Sequence, residues 1–370
     1  MLFLKLHMTN SLRLLLLPFS LIYGLVVIVR NWLFDVQLFK SARFPIPVIC
    51  VGNLVVGGSG KTPVTEYLVQ LLSSYRIAIL SRGYGRETKG FLIADDSASA
   101  KTIGDEPMQF YQKFPQLTVA VCEDRAEGIK RLQREHDLII LDDAFQHRWV
   151  KAGLNILLFE YQKLLRQQFL LPAGNMREPF NGYQRADIIL VTKAPEQLNS
   201  QSLMRCKQKF RLKSNQQLAF SYLTYADLVH VFTGQCVVTG QLPENTHVFL
   251  LTGIANPTPL INHLQSFNFR LSHYDYPDHY AFKHKDIDAL LTDYRSSESE
   301  HKMIITTEKD AKRLMDPELK PLFLHAAIFY LPVEITLQVK DKPNFDQKIL
   351  DYVAGTTRNR SLYKEENKQF

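Results

Sequence analysis

Between Phe44 and Lys193 the chain alternates short apolar runs with stretches of helical spacing. The runs "PVICVGNLV", "RIAILSRG", "LTVAV", "DLIILDD", "NILLFE" and "DIILVTK" are rich in Val, Ile and Leu and show no polar alternation. Such runs predict strands buried on both faces. Between them, Thr62–Ser73, Glu106–Lys113 and Asp124–Glu135 place apolar residues three and four apart, as a helix with one buried face does. Repeated strand–helix order predicts an α/β core with a parallel sheet covered by helices. A second set, "HVFLLTGIANP", "HKMIITTEKD" and "AAIFYLPVEI", predicts a second, smaller α/β domain. The aromatic-rich stretch 217–234, "QLAFSYLTYADLVHVFTG", reads as two antiparallel strands connecting the two.

The first segment has a different pattern. From Leu14 to Val29 the chain is apolar throughout, between Arg13 and Arg30, and carries Pro18 and Gly24. A spanning helix needs roughly 20 apolar residues, so this run predicts a membrane-associated helix that either dips into the bilayer or barely crosses it, with a buried core helix as the alternative. A cleavable leader would need small residues after the run; Arg30-Asn31-Trp32 follows instead. Trp32 and Phe34 at one end suit a membrane interface, and the flanking Lys5, Arg13, Arg30, Lys40 and Arg43 suit an anionic leaflet. The expected organisation is a membrane-associated helix at 1–34, a core domain at 35–216, the β connector at 217–234, a second domain at 235–353 and a polar tail at 354–370.

Composition narrows the classes. With 46% hydrophobic and 22% charged residues over 370 positions, the chain can bury a sizeable core. A formal net charge of +7 is a mild basic excess. No dense Lys/Arg run interleaved with aromatics is present, so nucleic acid is not an expected partner. The cysteines Cys50, Cys122, Cys206 and Cys236 are far apart and form no metal-binding spacing.

The chemistry concentrates at "VVGGSGKT", residues 55–62. It follows a predicted strand and opens a predicted helix, the context of a phosphate-binding loop with the pattern G-x-x-x-x-G-K-[ST]. Gly57, Gly58, Ser59 and Gly60 would wrap phosphate with backbone N–H groups, Lys61 would reach the outer phosphates and Thr62 would offer its hydroxyl to Mg²⁺. Val55 stands where the leading glycine belongs. A second landmark is Asp142-Asp143 at the end of "DLIILDD", where a carboxylate can hold Mg²⁺ directly or through water. A dinucleotide site is the rival, but "GYGRET" lacks the third glycine. "VTKAPE" lacks the Asp of a guanine-reading loop, and Val56 replaces the lysine of the membrane-partition ATPases.

In this order "VGNLVVGGSGKTP", "SRGYGR", "GDEP", "DDAFQH", "LPAGNMREP", "TGIANP" and "PDH" resemble the tetraacyldisaccharide 4′-kinase (lipid A 4′-kinase) family. Ala144 and Asn175-Met176 depart from the family's usual residues without removing a reactive group. The resemblance implies ATP- and Mg²⁺-dependent phosphorylation of the 4′-hydroxyl of an acylated glucosamine disaccharide 1-phosphate. It also implies residence at the cytoplasmic face of the bacterial inner membrane, in contact with its lipid. It implies an acid–histidine catalytic pair, Asp105 and His279, acting beside Lys61. Gln146, His147, Arg177 and Glu178 match family site positions; physically, Arg177 suits a substrate phosphate and Glu178 a metal or hydroxyl. From the residues alone Asp105 reads equally as a helix cap, His279 as a turn residue, and Arg82 and Arg86 as either phosphate ligands or turn residues. Two other functions fit the loop: a membrane-associated P-loop ATPase switch that recruits a protein partner, and a nucleotide-binding regulator without catalysis.

Overall fold

The structure, a computed structural model, describes residues 13–278 and 280–366. The chain forms two compact units, one of residues 1–223 with 335–370 and one of residues 224–334.

The first unit is built on a nine-stranded sheet. Its centre is β1 (Val48–Asn53), flanked by β5 (Leu138–Asp142) and β6 (Leu154–Glu160), both parallel to it. Beyond β5 lie β2 (Ile77–Ser81), β4 (Thr118–Val121) and a short antiparallel edge, β3 (Leu92–Ile93). Beyond β6 lie β7 (Ile188–Thr192), β8 (Gln217–Tyr225) and, at the other edge, β15 (Val333–Leu337). Every residue of β1, β2, β5 and β7 is buried. Successive side chains enter opposite layers, Val48 and Cys50 one, Ile49 and Val51 the other, which is why these runs show no polar alternation.

The second unit holds a six-stranded sheet in the order β10 (Cys236–Val237), β9 (Leu228–His230), β14 (Ile328–Leu331), β13 (Lys302–Thr307), β11 (His247–Thr252), β12 (Arg270–Asp275). From β14 to β12 neighbours are parallel.

Three expectations about organisation differ from this arrangement. The stretch 217–234 is not a two-stranded connector: β8 pairs parallel with β7 in the large sheet, while β9 pairs with β10 and β14 in the small one. Aromatic alternation reports a half-buried strand but not its partner. The expected second domain at 235–353 stops short, because residues from Ile335 onward return to the first unit. The expected polar tail is the end of a helix, Lys342–Glu366. Phe345, Ile349 and Val353, spaced four apart, lie on one core layer of the large sheet. The Tyr352 hydroxyl accepts from the Val48 N–H (2.9 Å) and donates to the Val48 carbonyl (3.1 Å), tying this helix to the start of β1.

The apolar N-terminal run forms helix α1 (Leu17–Asp35), 19 residues long and, by length and composition, apolar enough to cross a membrane. Pro18 sits in its first turn, where no intrahelical N–H partner is lost. Leu21, Ile22, Leu25, Val26, Ile28, Val29 and Trp32 are exposed, whereas Ser20, Gly24 and Phe34 are buried against the protein. A side chain at Gly24 would begin 2.7 Å from Leu170 Cδ1, so the Leu170 side chain rests directly on this glycine.

Candidate active site: a phosphate loop beside an acidic pair

Helix α2 (Lys61–Leu71) starts directly after the glycine loop, at the C-terminal end of β1. Gly57 and Gly60 take φ of 96° and 82°, a conformation that side chains rarely adopt, and Gly60 is the residue capping α2. The loop is braced from below. Asn53 Nδ2 donates to Ser59 Oγ (2.7 Å), Thr192 Oγ1 to the Ser59 carbonyl (2.8 Å), and Lys193 Nζ to the Gly58 carbonyl (2.6 Å). Lys61 and Thr62 are buried at the first turn of α2, where N–H groups and the helix dipole favour an anion.

Val55 is explained by packing. Its side chain is buried in the core, and its backbone forms an antiparallel bridge to Met176. The adjoining Arg177 N–H donates to the Leu54 carbonyl (2.7 Å). The chain bends at Leu54 as it leaves β1, bridges to Met176 at Val55, and turns again from Val56 into the glycines.

Asp142 closes β5 with 2% exposure, and Asp143 follows it with φ of 49°. Asp is among the few non-glycine residues that tolerate this region, and such strain concentrates at functional sites. The two carboxylates have separate surroundings. Asp143 accepts from Arg177 Nη1 at 2.9 Å on both oxygens and lies 3.7 Å from Lys61 Nζ. Burial pushes the Asp142 carboxyl up to about 8, with Glu106 and Asp143 adding to the effect and Lys61 and Arg125 opposing it. A buried acid held so high is a site that favours a cation or a proton.

Facing this acidic pole is a basic one. Arg125 is buried, donates to the Cys122 and Glu123 carbonyls, and is held below its ordinary value by burial and by Arg82. Burial, and then Arg125, hold His147 down at about 4, so its imidazole is neutral near pH 7. Its Nε2 is buried without a protein partner.

Glu178, suited by its sequence position to a metal or hydroxyl, is held by protein donors. It is 2% exposed and fully engaged: Oε1 accepts from Gln146 Nε2 (2.9 Å) and Arg185 Nη2 (2.9 Å), and Oε2 accepts from Asn31 Nδ2 (3.1 Å). Arg177, expected at a substrate phosphate, is the partner of Asp143. Arg86 is a turn residue, paired with Glu123 at 2.6 Å and donating to the Gly90 carbonyl. Asp105 is the first residue of the helix Asp105–Lys113, and the capping position belongs to Gly104. His279 lies outside the described residues.

The phosphate loop, Asp142, Asp143, Gln146, His147, Arg177 and Glu178 are thus brought to one end of the large sheet. Asn53, Glu106, Arg125, Thr192 and Lys193 were missed by the sequence reading. Asn53 and Thr192 each put a polar residue at the end of a fully apolar strand, which was the available signal. Nothing in the local pattern marks Arg125, in the first turn of an ordinary surface-type helix.

A parallel sheet with a glycine loop feeding Lys-Thr at a helix start, and a buried acid ending the adjacent strand, defines a P-loop nucleotide-binding protein. The family model for tetraacyldisaccharide-1-P 4′-kinase (LpxK) matches residues 12–354. The tetraacyldisaccharide 4′-kinase of Bacteroides thetaiotaomicron is 42% identical over 370 aligned positions, covering 95% of this chain and 96% of that protein. The corresponding protein of Phocaeicola vulgatus is 44% identical, over 93% of this chain and 96% of its own. The crystal structure of LpxK from Aquifex aeolicus in complex with ATP superposes with a TM-score of 0.72 at 30% identity, covering 92% of this chain and 99% of that one. The chain belongs to the tetraacyldisaccharide 4′-kinase family.

Proposed function

We propose that the chain transfers the γ-phosphoryl group of ATP to the 4′-hydroxyl of a tetraacyldisaccharide 1-phosphate, at the cytoplasmic face of the inner membrane. As a member of its family the chain is a kinase of lipid A biosynthesis. The observation that carries the site assignment is the glycine loop at α2, with Lys61 buried 3.7 Å from the carboxylate of Asp143. ATP use rests on the same loop and on the ATP complex of the Aquifex aeolicus relative.

In this reading the N–H groups from Gly57 to Thr62 cradle the phosphates, and Lys61 balances the charge that builds up on the transferred group. Asp105 takes the proton of the acceptor hydroxyl, with His279 as its catalytic partner. The buried Arg125 and the exposed Arg82, which lie close enough to repel one another, meet an anionic group. The neutral imidazole of His147 accepts or donates a single hydrogen bond.

The donor set fits Mg²⁺. Among the described residues no three His, Cys, Asp or Glu side chains form a complete metal cage. Mg²⁺ in phosphoryl transfer does not require one, because phosphate oxygens and water fill most of its shell. The hard oxygens of Thr62 and Asp142, with Asp143 alongside, supply the protein's share, and a cation would offset the charge that burial disfavours on Asp142. When bound, the ion would neutralise phosphate charge during transfer. The exposed apolar face of α1 is apt for lying in a bilayer, which brings the site to a lipid-borne acceptor.

The test is label transfer from γ-labelled ATP to the acylated disaccharide by the detergent-solubilised protein. Transfer is expected with Mg²⁺ and is lost with EDTA. Asp105→Ala and His279→Ala should each lower turnover far more than ATP affinity. ATP hydrolysis stimulated by a protein, with no label on the lipid, would favour the switch instead.

A further inference from the structure

Helix α1 is more than an apolar rod set against the first unit. Its buried seam makes directed hydrogen bonds to the two loops that carry the site. Ser20 Oγ donates to the Leu170 carbonyl and accepts from the Ala173 N–H, each at 3.0 Å. The Tyr23 hydroxyl donates to the Arg177 carbonyl (2.7 Å), and Arg30 to the Gln146 carbonyl (2.8 Å). Arg148 returns a bond to the Asn31 carbonyl (2.7 Å).

A further contact of the helix continues inward, through side chains and the Asn53 carbonyl. Asn31 Nδ2 holds Oε2 of the buried Glu178 (3.1 Å). Glu178 Oε1 accepts from Gln146 Nε2 (2.9 Å), and the same Gln146 amide donates its other hydrogen to the Asn53 carbonyl (2.8 Å). Asn53, fully buried, then holds Ser59 Oγ (2.7 Å) and Gly57 (3.4 Å) within the phosphate loop. Low local dielectric strengthens each bond in such a chain, and orientations along it are mutually set.

We propose that Asn31 is a positioning residue for the nucleotide: through Glu178, Gln146 and Asn53, the seat of the membrane-type helix sets the shape of the phosphate loop. The inference rests on residues 57–62 being the ATP site and adds that this site is complete only when Asn31 is engaged. An apolar helix acting solely as an anchor has no need of an amide at this position, since Asn lowers helix propensity and adds a polar group to the membrane-facing element. A hydrogen bond to a buried carboxylate is among the stronger ones, and losing it from the relay should weaken ATP binding roughly tenfold.

The experiment measures equilibrium binding of a nonhydrolysable ATP analogue, together with KM for ATP and for the glycolipid, in the full chain. The variants are Asn31→Leu and, as a control on the same helix, Tyr23→Phe, which cuts a bond to a loop carbonyl but leaves the relay whole. For Asn31→Leu the Kd and KM for ATP should rise roughly tenfold, KM for the glycolipid should stay within about twofold, and membrane pelleting should be unchanged. Tyr23→Phe should bind the analogue as the unaltered protein does. Combining Asn31→Leu with Ser59→Ala should be non-additive, because both cut one chain. Unchanged ATP affinity in Asn31→Leu, an effect confined to the glycolipid KM, additivity with Ser59→Ala, or equal weakening by Tyr23→Phe would each overturn the proposal. Failure of the unaltered protein to bind the analogue would instead overturn the nucleotide-site reading itself.

Discussion

The two sheets carry similar strands and opposite kinds of polar cluster. In the small sheet, Asp310 is fully buried and wholly satisfied: Oδ2 accepts from the Gly253 N–H (2.9 Å) and Thr307 Oγ1 (2.6 Å), and Oδ1 from Arg313 (2.7 Å). In the large sheet, Asp142 is buried with its carboxyl pushed up by burial and by neighbouring acids. Around it, Asn53 Oδ1, His147 Nε2 and Arg125 Nε are buried without protein partners. A cluster that satisfies itself locks a loop in place. One that leaves charges and hydrogen-bonding atoms in surplus is arranged for something that arrives from outside. Both clusters contain an acid near strand ends with a basic neighbour; the state of satisfaction separates them.

Four substitutions test the contrast. The largest effect is expected on turnover at the large sheet. Lys61→Ala and Asp142→Asn should each slow phosphoryl transfer by about a thousandfold or more, with thermal melting nearly unchanged, because their work is done on the ligand. A fall in melting temperature that accounts for the lost activity would make this cluster structural. Next, Asp310→Ala leaves the Gly253 N–H and the Thr307 hydroxyl without their acceptor and removes the carboxylate that pairs with Arg313, and should cost about 3–5 kcal/mol of stability, measured by denaturant unfolding of the full chain. A neutral result would remove the distinction from the other side. The smallest effect concerns His147. Its folded-state value of about 4 lies below the ordinary 6.5, so the unfolded chain takes up a proton first. Its contribution is therefore full above about pH 6.5 and lost as pH falls towards 4. With partial exposure, that amounts to about 1 kcal/mol. His147→Gln should flatten the stability profile in that window; an unaltered profile would mean the imidazole is not protected from the proton.

The comparison also shows why some of the site was legible beforehand and some was not. The glycine loop, Lys61, Thr62 and Asp142-Asp143 stand out because they interrupt apolar strands with residues of specific backbone or charge chemistry. Glu178 stands out equally, but its three internal donors do not, since an acidic side chain in a motif looks the same whatever it faces. Arg125 is hidden because it lies on an ordinary helix, whereas Asn53 is marked only by being the polar residue that closes an apolar strand. The return of residues from Ile335 to the first unit was likewise hidden, because Phe345, Ile349 and Val353 specify a buried face without naming the sheet they will cover.

Local pattern alone therefore determined the strands, the phosphate loop, the apolar helix and the acids at the strand end. These depend on periodicity, on φ above zero and on residue chemistry, all of which act over a few neighbours. Strand order, the satisfaction of each buried charge and the relay from Asn31 to Ser59 were decided only by tertiary structure. Each joins residues far apart in the chain, and whether a polar group is spent or spare depends on what packs against it.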